Sequence, residues 1–167
     1  ILVGLGNPGV AYQNHRHNAG YWLLDEVIKR YDLSIKEKPG FFISTWQHDF
    51  GTTYLLRSKQ YMNESGLAVR QLMHFYKIPP EDIWVAYDDM DFPPGIVRVK
   101  KQGGAGGHNG IKSVMAHVGP QFNRLRLGVD RPSYAEEVKS YVLTSPCQAD
   151  RGEIQRSVSL VVDYLDL

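Results

Sequence analysis

Gly4-Leu5-Gly6-Asn7-Pro8-Gly9, followed by Tyr12 and by Arg16-His17-Asn18-Ala19-Gly20, decides how this chain is read. Ile1-Leu2-Val3 ahead of it has the apolar run of a short buried strand. Glycine permits positive φ and proline fixes φ while removing a donor, so the strand must turn sharply. The turn lifts Asn7 off the sheet edge. Asn18 is then placed to cap a helix running to about Tyr31, with Leu23, Leu24, Val27, Ile28 and Tyr31 on one face. An amide, a tyrosine and a histidine thereby gather at the carboxyl end of a strand, where open α/β sheets place ligands.

Outward from this stretch, Phe41 to His48 and Thr52 to Ser58 read as two strands joined at Asp49-Phe50-Gly51. Tyr61-Met62-Asn63-Glu64-Ser65-Gly66 leads into a helix marked by Val69, Leu72, Met73 and Tyr76, with Asn63 or Ser65 as its cap. Pro79-Pro80 stops it. Ile83 to Tyr87 reads as a central strand ending in Asp88-Asp89-Met90-Asp91. After Phe92-Pro93-Pro94-Gly95, a strand over Ile96 to Lys100 puts Arg98 and Lys100 on one face. The loop Gly103-Gly104-Ala105-Gly106-Gly107 precedes a helix marked by Ile111, Val114, Met115 and Val118 and closed by Gly119. Leu125, Leu127 and Val129 alternate with Arg124 and Arg126 as in a strand. Tyr134 to Leu143 and Ala149 to Leu167 read as helices. The expected fold is α/β: one globular domain over residues 1–167, a twisted mixed β-sheet of five to seven strands flanked by helices.

A length of 167 residues suits one domain with one large core. With 43% hydrophobic and 22% charged residues, the composition is that of a globular protein in water. No apolar run approaches the roughly 20 residues of a membrane span, and no signal peptide is visible. Cys147 is the single cysteine, which excludes an internal disulfide and suits a reducing, cytoplasmic setting. The chain begins at Ile1 rather than methionine, so a few residues are expected to be missing at the N-terminus. The net charge of +1 hides an uneven distribution: Glu81 to Asp91 holds five acids and no base, whereas Arg98 to Arg131 holds seven bases against Asp130. That local excess suits a partner carrying phosphates, or simply a solvated face.

Gly4-x-Gly6-x-x-Gly9 matches the dinucleotide fingerprint only weakly. The later acids, Asp25 and Glu26, fall inside the expected helix rather than at the end of a second strand, and Pro8 removes an amide that a pyrophosphate would use. A nucleotide-dependent oxidoreductase is therefore one reading, answered by a thermal shift with NAD or NADP. His17 has a better case as a general base, since the free imidazole pKa of about 6.5 suits proton transfer at neutral pH. Such a base needs an orienting acceptor, and Asp88 is best placed. Asp89 and Asp91 are read as turn caps. His15-x-His17 lacks further metal ligands nearby. No Gly-x-Ser-x-Gly elbow is present and Cys147 lies far from any histidine, so a hydrolase of this sequence would use water. Asn7, Asn63 and Asn109 sit at turns or helix starts. Each alone is a cap or turn residue; together they suit recognition of amides and esters. The Gly103 to Gly107 loop is open between a cover, a phosphate nest and a plain connector. A non-catalytic RNA-binding module is the third reading, although no RRM or KH signature is present.

Gly6-Asn7-Pro8-Gly9, Tyr12, Arg16-His17-Asn18-Ala19-Gly20, Tyr61-Met62-Asn63-Glu64-Ser65-Gly66, Asp88-Asp89-Met90-Asp91 with Pro93-Pro94-Gly95, and Gly106-Gly107-His108-Asn109-Gly110 together resemble the bacterial-type peptidyl-tRNA hydrolase family over nearly the whole chain. The resemblance implies hydrolysis of the ester between a peptide, or N-blocked aminoacyl group, and the 3′ ribose of tRNA, recycling tRNA from aborted translation. It implies a cytoplasmic monomer without metal or cofactor that acts on peptidyl-tRNA at the acceptor end and nascent peptide. Ribosome-derived complexes are a further candidate partner, and a membrane is not. By position, His17 is the implied base and Asp88 its partner. Asn7 is implied to read the peptide next to the ester. Tyr12, Tyr61, Asn63 and Asn109 are implied to line the cleft, and Lys100 and Arg126 to bind tRNA phosphate. Tyr61 stands where the family more often has phenylalanine. The chain stops at Leu167, short of the family's last helical residues.

Overall fold

The sheet grows outward from its middle. In the computed structural model, which describes residues 1–134 and 137–165, β1 (Leu2–Gly4) lies between β4 (Gly51–Ser58) and β5 (Trp84–Asp89), parallel to both. With β2 (Lys36–Lys38), β3 (Phe41–His48), β6 (Val97–Lys101) and β7 (Asn123–Gly128), the order across the sheet is β2-β3-β4-β1-β5-β7-β6. β5 and β7 are parallel, while β2, β3 and β6 each add antiparallel. Side chains alternate across the sheet, as the period of two requires. Val3, Leu56 and Val85 pack beneath α2 (Ser65–Tyr76) and α3 (Asn109–Val118). Leu2, Ala86, Leu125 and Leu127 pack against α1 (Ala19–Arg30) and α5 (Gln148–Leu165) on the other face.

Several local expectations change. β2, with its exposed sequence Lys-Glu-Lys, has no apolar pattern to betray it and exists through its register with Phe41 to Ile43. β5 runs two residues beyond Tyr87, so Asp88 belongs to the strand and is paired with Leu127 rather than standing past its end. Asn18 is at the cap position of α1 but makes no capping bond. At α2 neither Asn63 nor Ser65 caps; Glu64 holds the cap position without a side-chain bond, and Ser65 Oγ donates to Met62 O. Of the helix expected over Tyr134 to Leu143, only α4 (Val138–Tyr141) forms, and residues 135 and 136 lie outside the described residues. Residues 166 and 167, expected at the end of the last helix, also lie outside them.

β6 and β7 set Arg98 opposite Arg126 and Lys100 opposite Arg124. Like charges facing each other across strands are destabilising unless each finds its own partner. Arg124 is fully buried. Its guanidinium donates to Gly103 O at 2.6 Å and to Gly104 O, and lies over the Phe122 ring at 4.6 Å. It therefore pins the glycine loop to the sheet and is not part of a phosphate-binding surface.

Gly20, in the first turn of α1, fixes the distance between helix and sheet. A Cβ there would lie 2.3 Å from Ala86 O, 2.5 Å from Leu5 N and 2.7 Å from Leu5 O. These are backbone atoms of the middle of β5 and of the residue after β1, and they cannot step aside. Gly20→Ala is expected to lower stability by about 1–3 kcal/mol through overpacking, although alanine is the better helix former by about 1 kcal/mol. Chemical denaturation checks this, and a variant as stable as the parent would refute the close approach.

Candidate active site

The turn after β1 is held by an amide pair. Asn7 N donates to Asn18 Oδ1 at 2.8 Å, and Asn18 Nδ2 donates to Asn7 O at 3.0 Å. Asn18 thus acts as a one-residue strand partner for Asn7, which explains why it leaves α1 uncapped. The Asn7 side chain is oriented in turn: Oδ1 accepts from Met62 N at 2.8 Å. The bond from Met62 N fixes which end of the Asn7 amide is oxygen, and among the described residues its Nδ2 donor makes no hydrogen bond. The segment between β4 and α2 is thereby tied to the turn after β1.

His17 lies in the single 3₁₀ turn Arg16–Asn18 that feeds α1. Its N–H donates to Val142 O at 2.9 Å, and Arg16 N donates to Thr144 O at 3.0 Å. The Arg16 guanidinium stacks on Tyr141 at 3.9 Å, so the segment carrying α4 is fastened next to the histidine. His17 Nδ1 lies 2.9 and 3.0 Å from the two oxygens of Asp88. His108 Nε2 lies 2.8 Å from Asp88 Oδ1, and His108 Nδ1 accepts from Gly110 N and Ile111 N. The second histidine therefore caps α3. Because its Nδ1 must be an acceptor, its proton sits on Nε2 and is donated to Asp88. His17 likewise donates from Nδ1, which leaves its Nε2 lone pair free.

Burial alone would raise the proton affinity of Asp88, but the facing charges and hydrogen bonds of His17 and His108 outweigh it and hold the carboxyl well below its ordinary value. Burial pulls His17 the other way, toward neutrality. The Asp88 charge and hydrogen bond overcome that and raise the imidazole above its ordinary pKa.

These groups open onto a cavity of about 630 Å³. It brings together all the expected site residues except Tyr12: Asn7, His17, Asp88, Tyr61, Asn63 and Asn109, and on one side Lys100 and Arg126. Tyr12 stands behind the wall, edge-on to Tyr61 at 5.9 Å and to His15 at 5.5 Å. The Gly103 to Gly107 loop supplies part of the wall from Gly104 onward. Arg126 Nε donates to Asp89 Oδ2 at 2.7 Å, and Arg131 pairs with Asp91. The basic excess read along the chain is thus largely balanced at this edge of the cleft. Asp89 and Asp91 do form the expected turn, through Asp91 N donating to Asp89 Oδ1, but both also face guanidinium groups.

His108 is the residue that sequence reasoning missed. It was visible only as the neighbour of Asn109, and a histidine capping a helix has no strong local signature. The roles of Asn18 and Met62 were missed for a similar reason: Asn18 acts with its side chain on the backbone of a turn, and Met62 through its own N–H. The nucleotide reading loses its remaining support: Asp25 pairs with Arg57 and Glu26 with Arg30, and the amide of Asn7 is taken by Asn18. His17, Asp88 and His108 also bring three potential metal-ligating atoms within 4.8 Å of one another. Both protons shared between imidazoles and carboxylate would have to leave before a cation could enter.

Over residues 1–167 the sequence matches the family described as Peptidyl-tRNA hydrolase. The chain is 42% identical over 168 residues to the peptidyl-tRNA hydrolase of Halorhodospira halophila, covering 99% of this chain and 87% of that one. It is 45% identical over 146 residues to that of Idiomarina loihiensis, covering 86% and 74%. Among solved structures, the crystal structure of peptidyl-tRNA hydrolase from Acinetobacter baumannii is similar with a TM-score of 0.95 and 35% identity, covering 99% of this chain and 86% of that one.

The two tautomers and the His17 shift are directly measurable. ¹⁵N NMR is expected to show His108 protonated on Nε2 and neutral His17 protonated on Nδ1. The His17 titration midpoint is expected above the ordinary 6.5. In Asp88→Asn the charge that raises it is gone while burial remains, so the midpoint should fall below 6.5. A midpoint that does not move would dissociate His17 from Asp88.

Proposed function

The chain belongs to the peptidyl-tRNA hydrolase family, and we propose that it hydrolyses the ester joining a peptide to the 3′ ribose of tRNA with His17 as the general base. The observation that carries this reading is the free Nε2 edge of an imidazole whose other nitrogen is fixed on a buried carboxylate at 2.9 Å. Nε2 takes a proton from water as its oxygen attacks the ester carbonyl. The imidazolium so formed is stabilised by Asp88, which orients the ring without taking the proton. When the tetrahedral intermediate collapses, the ester C–O bond breaks and the 3′ ribose oxygen leaves with the proton returned from His17.

Asn7 supports selectivity. Its Nδ2 donor has no partner among the described residues and suits the carbonyl of a peptide unit beside the ester; an unblocked aminoacyl group lacks that carbonyl. Asn63 and Asn109, both exposed on the cleft wall, suit the ester oxygen and the tRNA 3′ end. Tyr61 offers a ring face to the same end, braced by Tyr12. Lys100, exposed and without an ion pair among the described residues, and Arg126 suit phosphate. Such an enzyme returns tRNA from aborted translation. Among the described residues no helix is long and apolar enough to cross a membrane.

His17→Ala is expected to lower kcat on N-acetylated aminoacyl-tRNA by roughly 10²-fold or more while binding persists. Full turnover by that variant would overturn the role of the imidazole, and binding without any ester cleavage by the parent would leave only an RNA-binding module. Asn7→Asp keeps the acceptor for Met62 N but removes the donor. It is expected to fold and to narrow the preference for N-blocked over unblocked substrate, read from the ratio of their kcat/KM values.

A further inference from the structure

Asp89 and Asp91 sit on the wall of a cleft for an anionic substrate, where acids should oppose binding. Their geometry gives Asp89 another task. Asp89 ends β5 and its side chain is only 11% exposed. One oxygen accepts from Asp91 N at 2.8 Å and is thereby locked into the turn. The other accepts from Arg126 Nε at 2.7 Å. The face of the guanidinium lies against Phe92, with its carbon 4.8 Å from the ring centre. Arg126 Nη2 stands 3.7 Å from Asp91 Oδ2, beyond hydrogen-bonding reach, and Asp91 is engaged by Arg131. Among the described residues neither terminal nitrogen of Arg126 donates a hydrogen bond. The guanidinium of this cavity-lining residue is therefore fixed at its back edge and on one face, while its two Nη groups stay without a hydrogen bond among the described residues.

We infer that Asp89 is a positioning residue for substrate binding, holding Arg126 so that its two Nη groups meet a phosphate of the tRNA end as a preformed fork. This rests on the reading of Arg126 as the phosphate contact. Guanidinium recognition of phosphate is directional and bidentate, and a side chain already immobilised loses less freedom on binding. The local charge that Asp89 contributes is unfavourable to phosphate, but among the described residues it is the group that holds Nε.

The test separates charge from position. If Asp89 acts only as a charge, Asp89→Asn should tighten peptidyl-tRNA binding. If it positions Arg126, Asp89→Asn should raise KM about tenfold, the scale of one hydrogen bond between charged groups, with the change in kcat much smaller. In an Arg126→Ala background the same substitution should add nothing further to KM. Arg126→Lys gives a second measurement that does not depend on Asp89→Asn folding. It keeps the charge but has no Nε for Asp89 and no fork, so it should bind almost as weakly as Arg126→Ala. A lower KM in Asp89→Asn, or native KM in Arg126→Lys, overturns the inference while leaving Arg126 as a cationic contact. If Arg126→Ala itself leaves KM and its salt dependence unchanged, the phosphate reading of Arg126 fails first.

Discussion

The carboxylate of Asp88 is the constraint from which the rest of the site follows. It is buried, and burial alone would favour its neutral form. Two neighbouring imidazoles, with ring centres 4.7 Å apart, donate to it and keep it ionised. Each bond settles a different matter. The His17 bond leaves a lone pair facing the cleft, and the His108 bond leaves a nitrogen facing the first amides of α3. One anion thereby ties the turn before α1, the tip of β5 and the start of α3 into a single assembly. His108 cannot rotate or change tautomer without losing its bonds to the first amides of α3 as well as its bond to Asp88.

The fold was legible where burial has a period. The central strands, the two-residue shift in β5 aside, and the helices α1, α2, α3 and α5 follow from apolar spacing that their packing confirms. What escaped was structure made by tertiary register: β2 has only charged residues, and α4 is a single turn fastened through Arg16 and Tyr141. In the site, strand ends, turns and the family resemblance singled out His17, Asp88 and the three asparagines, and the fold brings them to one cavity. The division of labour among the polar groups was not. Asn18 looked like a helix cap because its position suits one, yet its side chain satisfies the backbone of Asn7 instead. His108 stood out only as part of a motif beside Asn109, and the acids after Asp88 looked like turn residues alone.

The charge distribution shows the same limit. Seven basic residues in one segment suggested an open cationic surface. Folding spends them in different ways. Arg124 disappears into the core, Arg126 and Arg131 face acids from the preceding segment, and Lys100 remains exposed beside Gly103. A count along the chain cannot distinguish a cation that holds the wall from one that greets a ligand, because both follow the same alternation in a strand.

Arg124 is the fully buried group that grips the carbonyls of Gly103 and Gly104. A guanidinium does not lose its proton at any pH the protein would encounter. The fastening of the glycine segment is consequently indifferent to acidity, even though it lies one strand away from chemistry that depends on an imidazole. Acidification can silence the base while the shape of the wall persists, so that substrate docking and bond breaking answer to the surroundings through separate channels.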